Sequence, residues 1–372
     1  MNRLQFGALG LSLLLPTAAL GDFQYQETTQ ITGGSLMGMM KFASHFSKQA
    51  ADISAPVVSS VYVQGNRMAR INPQTIEIID LDAETITNVD MQKHTYTQMT
   101  FQQMRQQFDQ AVQQAKAKQQ PPPASSQQKP DNVQVSFKVN VRNTGTTKQV
   151  SGIDANEAIL TMEMIGTDTT NGQQGAFAIT NDMWMAPEIP GYDELRDFQR
   201  RFAAKMGEAL SGSNLTASLT AMQPAAAQGM SEMVKEMSKL KGIPVEQIMR
   251  MGATTNGEPL PAASEAPLPP SPSGPETPSA TNVAQQSASS AIASKLGGFG
   301  IGGFGGFGHK KQAQAPPPSD DASNTTQQTP TATVLMETKT EMSGFSSTPI
   351  DSGKFAVPAG FTQIQPQPAR AK

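Results

Sequence analysis

Val133, Val135, Phe137, Val139 and Val141 alternate with Gln134, Ser136, Lys138, Asn140 and Arg142. A period of two is the pattern of a strand with one buried and one wet face. Phe23, Tyr25, Thr29 and Ile31 against Gln24, Gln26, Thr28 and Gln30 predict another strand over 23–31. Between them Gly65-Asn66, Asn72-Pro73 and Asp82-Ala83-Glu84 punctuate apolar runs over 57–64, 67–71, 75–81 and 85–89, with a further run at 94–99. Such short runs separated by turn residues predict an antiparallel meander. Asn143-Thr144-Gly145 is expected to close the 133–141 strand as a hairpin turn. Further strands are expected at 158–165, 176–185, 245–251, 331–342 and 355–357.

Helical spacing interrupts the strands four times. Leu36, Met39, Met40, Ala43 and Phe46 predict a short amphipathic helix up to about residue 50. Thr100 with Gln103 is a capping box opening a Gln-rich helix that carries Phe101, Met104, Phe108 and Val112. Leu195, Phe198, Phe202, Met206 and Leu210 line one face of a helix over 192–210, with Arg196, Arg200, Lys205 and Glu208 largely off it. Met230, Met233 and Met237 mark a fourth over 225–240, stopped by Gly242 and Pro244. The fold class expected is mainly β with α+β character: a curved antiparallel sheet or incomplete β-barrel with covering helices.

Two composition shifts divide the chain. Residues 119–130 contain Pro121-Pro122-Pro123 and read as an exposed loop. Residues 254–330 are dominated by Pro, Ser, Ala, Thr and Gln, a composition that cannot offset chain entropy by burying a core, and are expected to be a disordered insertion. Strand character returns after it, so 331–363 is expected to complete the domain begun by 22–253, leaving 364–372 as a flexible tail. At the other end Asn2-Arg3, an apolar run to Leu20 and the small residues Ala19 and Gly21 predict a signal peptide over 1–21. That places the mature chain outside the cytoplasm, periplasmic or secreted, with no transmembrane anchor after cleavage. Zero cysteines exclude a disulfide framework, so burial and hydrogen bonding must hold the fold. Lys plus Arg number 28 against 31 Asp plus Glu, which removes the basic excess of a nucleic-acid binder.

Several short motifs carry a resemblance: Ile78-Ile79-Asp80-Leu81, Lys93-His94-Thr95-Tyr96-Thr97, Thr144-Gly145 leading to Val150-Ser151-Gly152, Asp182-Met183-Trp184, Ile189-Pro190-Gly191-Tyr192, Gly242-Ile243-Pro244-Val245, and Phe355 to Phe361. Together they resemble an uncharacterised domain family of exported bacterial proteins, itself similar to the periplasmic lipoprotein carriers called LolA-like. The resemblance implies an incomplete antiparallel barrel with helices over its concave face. It brings no catalytic residues with it.

The residues themselves offer little reaction chemistry. His45, His94 and His309 have no metal-ligand spacing to one another, and no Gly-x-Ser-x-Gly elbow is present. Asp80 and Asp82 flank a turn, where aspartate caps backbone donors. No enzyme and no cofactor are expected. Methionine is the anomaly, at 21 residues. Thioethers suit Cu(I), and Met37-Gly38-Met39-Met40 near His45 offers a copper-binding alternative. Flexible thioethers also line grooves for irregular apolar ligands. The function expected is therefore a non-enzymatic exported binding protein holding a lipid, acyl chain or envelope component in the concavity. Trp184, Phe198, Phe202, Met206, Met230, Met233 and Met237 are the candidate lining. Lipid, lipoprotein or an envelope protein are the candidate partners, and Gly297 to Gly308, with Phe299, Phe304 and Phe307, a candidate contact segment. The alternative is a structural or interaction module tethered by the insertion.

Overall fold

A repeated turn builds the meander. Asp80 Oδ1 accepts the backbone N–H groups of Asp82 and Ala83, both at 2.9 Å. Asp90 Oδ1 does the same for Gln92 and Lys93, at 3.1 and 3.0 Å. Each turn ends on a left-handed residue, Glu84 (φ 52°) and His94 (φ 51°). Aspartate thus supplies the turn's acceptor, which is the whole role of Asp80 here. His94 lies in the second turn, its carbonyl accepting Thr362 N–H and its ring edge-on to Phe361.

The computed structural model describes residues 21–37, 55–118, 133–169, 172, 174–211, 224–255, 257–268 and 332–365. Its strands are β1 (Asp22–Gly33), β2 (Val57–Gln64), β3 (Arg67–Ile71), β4 (Thr75–Asp80), β5 (Thr85–Asp90), β6 (Thr95–Thr100), β7 (Val133–Val150), β8 (Ile153–Asp168), β9 (Gln174–Ala186), β10 (Ile243–Thr254), β11 (Ala332–Ser346) and β12 (Thr362–Gln363). The helices are α1 (Phe101–Lys118), α2 (Tyr192–Ser211) and α3 (Pro224–Met237). All twelve strands form one open sheet in the order β12-β6-β5-β4-β3-β2-β1-β11-β10-β9-β8-β7. Every pairing is antiparallel except β12 with β6. The expected mainly β, antiparallel class is what the chain adopts, and the sheet does not close.

Three local expectations are corrected. β7 continues past Asn143-Thr144-Gly145 to Val150, and the reversal falls at Ser151-Gly152, both with positive φ. The left-handed Gly145 (φ 80°) serves a bulge, where Asn143 pairs with Ala158 but Thr147 with Asn156. Residues 355–357 are not a strand: Ser352–Phe355 is a 3₁₀ turn capped by Asp351, whose side chain accepts Gly353 N–H at 2.8 Å. Within the span expected to be disordered, residues 257–268 lie packed on the sheet, with Leu260 and Ala262 buried. Residues 1–20 of the expected signal peptide, most of the expected 36–50 helix, the 119–130 segment, the Gly-Phe run, His45 and His309 lie outside the described residues.

The capping box forms as read: Thr100 N–H donates to Gln103 Oε1 at 2.9 Å, and Gln103 N–H to Thr100 Oγ1 at 3.0 Å. It seats Phe101 in the main core with Phe23, Tyr25, Val61, Val63, Ile79 and Leu81, under Leu195 and Phe198 of α2. α2 packs on β1 and β2, and α3 on β7. Cross-strand register joins these contacts: Tyr25 and Val61 share a face with Val139 and Val141, so both helices lie on one side of the sheet, the helix face. On the opposite side Ile350 and Phe355, with Val357 and Phe361, cover Ala69, Ile76, Ile78 and Val89 of the meander. Residues 257–268, the strap, cover β8 to β10 on that same side.

Candidate functional site

Four of the predicted lining residues, Trp184, Phe198, Phe202 and Met206, belong to or pack against the main core, and Met233 and Met237 lie on α3. Trp184 and Phe198 are buried core residues, 6% and 1% exposed. Lys148 Nζ sits 4.0 Å from the Trp184 ring centroid while pairing with Glu246 at 2.6 Å, so the indole is roofed by a cation. Phe202 stacks on Phe198 at 6.4 Å and, like Met206, is partly buried against the same core. On α3, Met233 is half-buried and Met237 is 47% exposed. The Met230 side chain lies outside the described residues. α2 is therefore a packed helix, and the strands supply the apolar surface that remains.

Register assembles that surface. Val139, Met162, Ile179, Met251 and Met336 are successive cross-strand partners on β7, β8, β9, β10 and β11. All five are half-buried. Phe137, Met164 and Phe177 form a parallel row on one side of them, and Met249 flanks them on the other. Directly opposed side chains stand about 4.5–5.5 Å apart at Cβ, so the thioethers of Met162, Met251 and Met336 lie in one belt. Leu160-Thr161-Met162-Glu163-Met164 and Met249-Arg250-Met251 carry its signal as alternation, but their charged partners mask it in a reading of apolar runs.

Those charged partners occupy the strap face, and most are buried. Asn140, Thr161, Thr180, Arg250 and Glu337 form a row across the same five strands. Arg250, 1% exposed, donates from Nε to Glu337 Oε2 at 2.7 Å and from Nη1 to the Pro261 and Ala262 carbonyls, both at 2.9 Å. Glu337 Oε1 also accepts Thr32 Oγ1–H at 2.7 Å. Lys148 and Lys339 flank Glu246 at 2.6 and 3.0 Å. A cleft of about 390 Å³ opens beside the strap, lined by Asn140, Arg142, Thr161, Thr254, Leu260 and Glu265 among others.

Two carboxyls on this face are pushed in opposite directions. Burial and the neighbouring Glu157 both raise Asp182, although Ser264 N–H donates to its Oδ2 at 3.0 Å. Burial also acts to raise Glu157, but hydrogen bonds from Ser264, Thr144 and Asp182 outweigh it and hold Glu157 below the ordinary carboxylate value. Asp182 Oδ1 and Glu157 Oε1 are the two oxygens of this pair without a hydrogen-bond partner. Further along, Glu163 is 2% exposed, and burial raises its carboxyl against the pull of the Thr161 hydroxyl and of Lys138 opposite.

A raised acid stabilises the fold at low pH, because the folded chain holds a proton that the unfolded chain releases more readily. For Glu163 that contribution is full below its ordinary 4.5 and is lost as pH rises through the raised folded value. Asp182 acts in the same direction from 3.8 upward. Glu163→Gln is therefore expected to flatten the decline in stability above pH 4.5 and to gain about 1–3 kcal/mol at pH 8. Thermal melts at pH 5 and pH 8 check this; a wild-type decline that persists unchanged in the variant would refute it.

Among the described residues no three His, Cys, Asp or Glu side chains converge as a metal site, and no helix is long and apolar enough to cross a membrane. No protein-family model matches the chain and no curated protein matches it, so its functional reading rests on these two faces.

Proposed function

We propose that the chain is an exported, non-enzymatic binding protein of the cell envelope that takes an apolar chain, such as a lipid acyl group, along the methionine belt of the helix face. The observation that supports this reading is the five-strand row Val139, Met162, Ile179, Met251 and Met336, in which no side chain is fully buried. Four inter-strand spacings of about 4.8 Å give a track of roughly 19 Å. Unbranched thioethers adapt to a ligand without a fixed shape, and each methylene removed from water contributes about 0.8 kcal/mol. The basic and apolar start of the chain and the LolA-like motifs support export and a carrier-like fold.

Met251→Lys is expected to weaken acyl-chain binding by at least tenfold while leaving the melting temperature within a few degrees. Fluorescent fatty-acid displacement and thermal melts on the same sample test this. Retained binding in the folded variant removes the belt from the site. Cu(I) is the competing occupant for these thioethers. A Cu(I) titration against a coloured chelator separates the two, since Met251→Leu retains acyl binding and loses the metal.

A second reading, an envelope interaction module, is favoured by the closure of α2, whose Leu195 and Phe198 are each 1% exposed. Native mass spectrometry of protein purified gently from its own envelope separates them. A stoichiometric acylated mass supports the carrier reading, and a clean apo mass the module.

A further inference from the structure

The strap is held mainly through its main chain, with the Arg142–Glu265 ion pair and the Ser264 side chain on Glu157 adding to it. The carbonyls of Glu258, Leu260, Pro261 and Ala262 accept from Thr254 Oγ1 at 2.8 Å, Thr180 Oγ1 at 2.7 Å and Arg250 Nη1, while Ser264 N–H donates to Asp182. Only Leu260 and Ala262, each 1% exposed, insert buried side chains. The floor beneath them is made of small residues: Ala176 and Ala178 are fully buried, and a Cβ on Gly252 would lie 3.1 Å from Leu260 Cδ1 and 2.1 Å from the Thr333 carbonyl. Pro259 and Pro261 flank the Leu260 anchor and bring no N–H that the groove would have to satisfy.

Connectivity does not require this segment on the sheet. Thr254 and Ala332 are register partners, so β10 and β11 already meet where the strap departs. The chain carries the anchor twice, as Pro259-Leu260-Pro261 and Pro267-Leu268-Pro269. A 390 Å³ cleft lies between the strap, at Pro259 to Pro261 and Glu265, and Asn140, Arg142 and Thr161 of the sheet.

We propose that this strap-face groove is a peptide-binding site whose built-in occupant, residues 257–268, exchanges with extended peptides of the Pro-Leu-Pro class presented by a partner protein. The recognition is carried by Arg250, Thr180, Thr254 and Asp182, which read main-chain groups, with selectivity for a small-to-medium apolar residue between prolines. Proline pre-extends such a ligand and lowers the entropy lost on binding. In the resting molecule the tethered strap competes at high effective concentration, so a free peptide binds weakly until the strap is displaced.

The test uses the full chain and a fluorescent peptide of sequence GEPLPAASEAPL. Leu260→Asp, which weakens the tethered copy and leaves the groove untouched, is expected to tighten binding of the free peptide at least tenfold over wild type. Adding Arg250→Met together with Glu337→Leu, which leaves no buried unpaired carboxylate, is expected to remove that gain. In parallel, hydrogen exchange on the wild-type protein is expected to show the amides of Ala262 and Ser264 exchanging at least tenfold faster than those of the β9–β10 ladder. A folded Leu260→Asp chain that binds no peptide overturns the proposal. So does strap protection equal to that of the ladder, the outcome that would accompany an unfolded Leu260→Asp variant and would make the strap a fixed part of the core.

Discussion

Arg250→Ala is expected to cost about 3–5 kcal/mol of folding stability, because it leaves the Glu337 carboxylate buried without its cation. The side chain is among the largest fully buried in the molecule, and its loss also frees the Pro261 and Ala262 carbonyls. A charge enclosed in this way contributes little net stability while its partner is present, yet its removal exposes the full desolvation cost of what remains. The double variant Arg250→Met, Glu337→Leu is therefore expected to recover most of the loss. Urea unfolding of the two variants decides the matter. A single variant within about 1 kcal/mol of wild type would mean that water reaches Glu337, since exposed ion pairs are worth no more than that.

Phe198→Ala is expected to cost a similar amount, about 3–5 kcal/mol, as for other buried Phe truncations. Phe198 stacks on Phe202 at 6.4 Å, and Phe202 in turn meets Phe101 edge-on at 5.9 Å, which ties α2 to the start of α1. The result also bears on function. If α2 bordered an open ligand cavity, truncation would enlarge the cavity at a small cost in stability and leave room for a bulkier acyl chain. A packed interface instead loses stability and gains no ligand.

The legible parts of this fold are those where one physical signal acts alone. Gly65-Asn66 and the Asp80 turn fixed β2 to β5 within a residue or two because turn chemistry needs no tertiary partner. Thr100 and Gln103 likewise form their reciprocal cap between themselves. Other features depended on distant groups. Ser151-Gly152, rather than Asn143-Thr144-Gly145, carries the reversal after β7 because β8 supplies partners as far as Ile153. The strap reads as core-less by composition, but its main-chain carbonyls find donors on strands remote in sequence. The methionine belt was hidden for a related reason. Glu163 and Arg250 are charged residues on strands, and only the strap and the Glu337 pairing make their face an interior one.

The placement of β11 between β1 and β10 bears on how the molecule is made. Synthesis delivers the chain from its first residue onward. β2 to β6 can zip onto β1, and β7 to β10 onto one another, long before residue 332 arrives. Until then there are two half-sheets, each ending in a long strand, β1 or β10, whose main-chain groups have no neighbour on that side. A newly made molecule thus passes through a stage with two adhesive borders, and the late strand is the keystone that joins them. Its maturation is expected to draw on holding chaperones, in proportion to the time needed for β11 to follow β10 in synthesis.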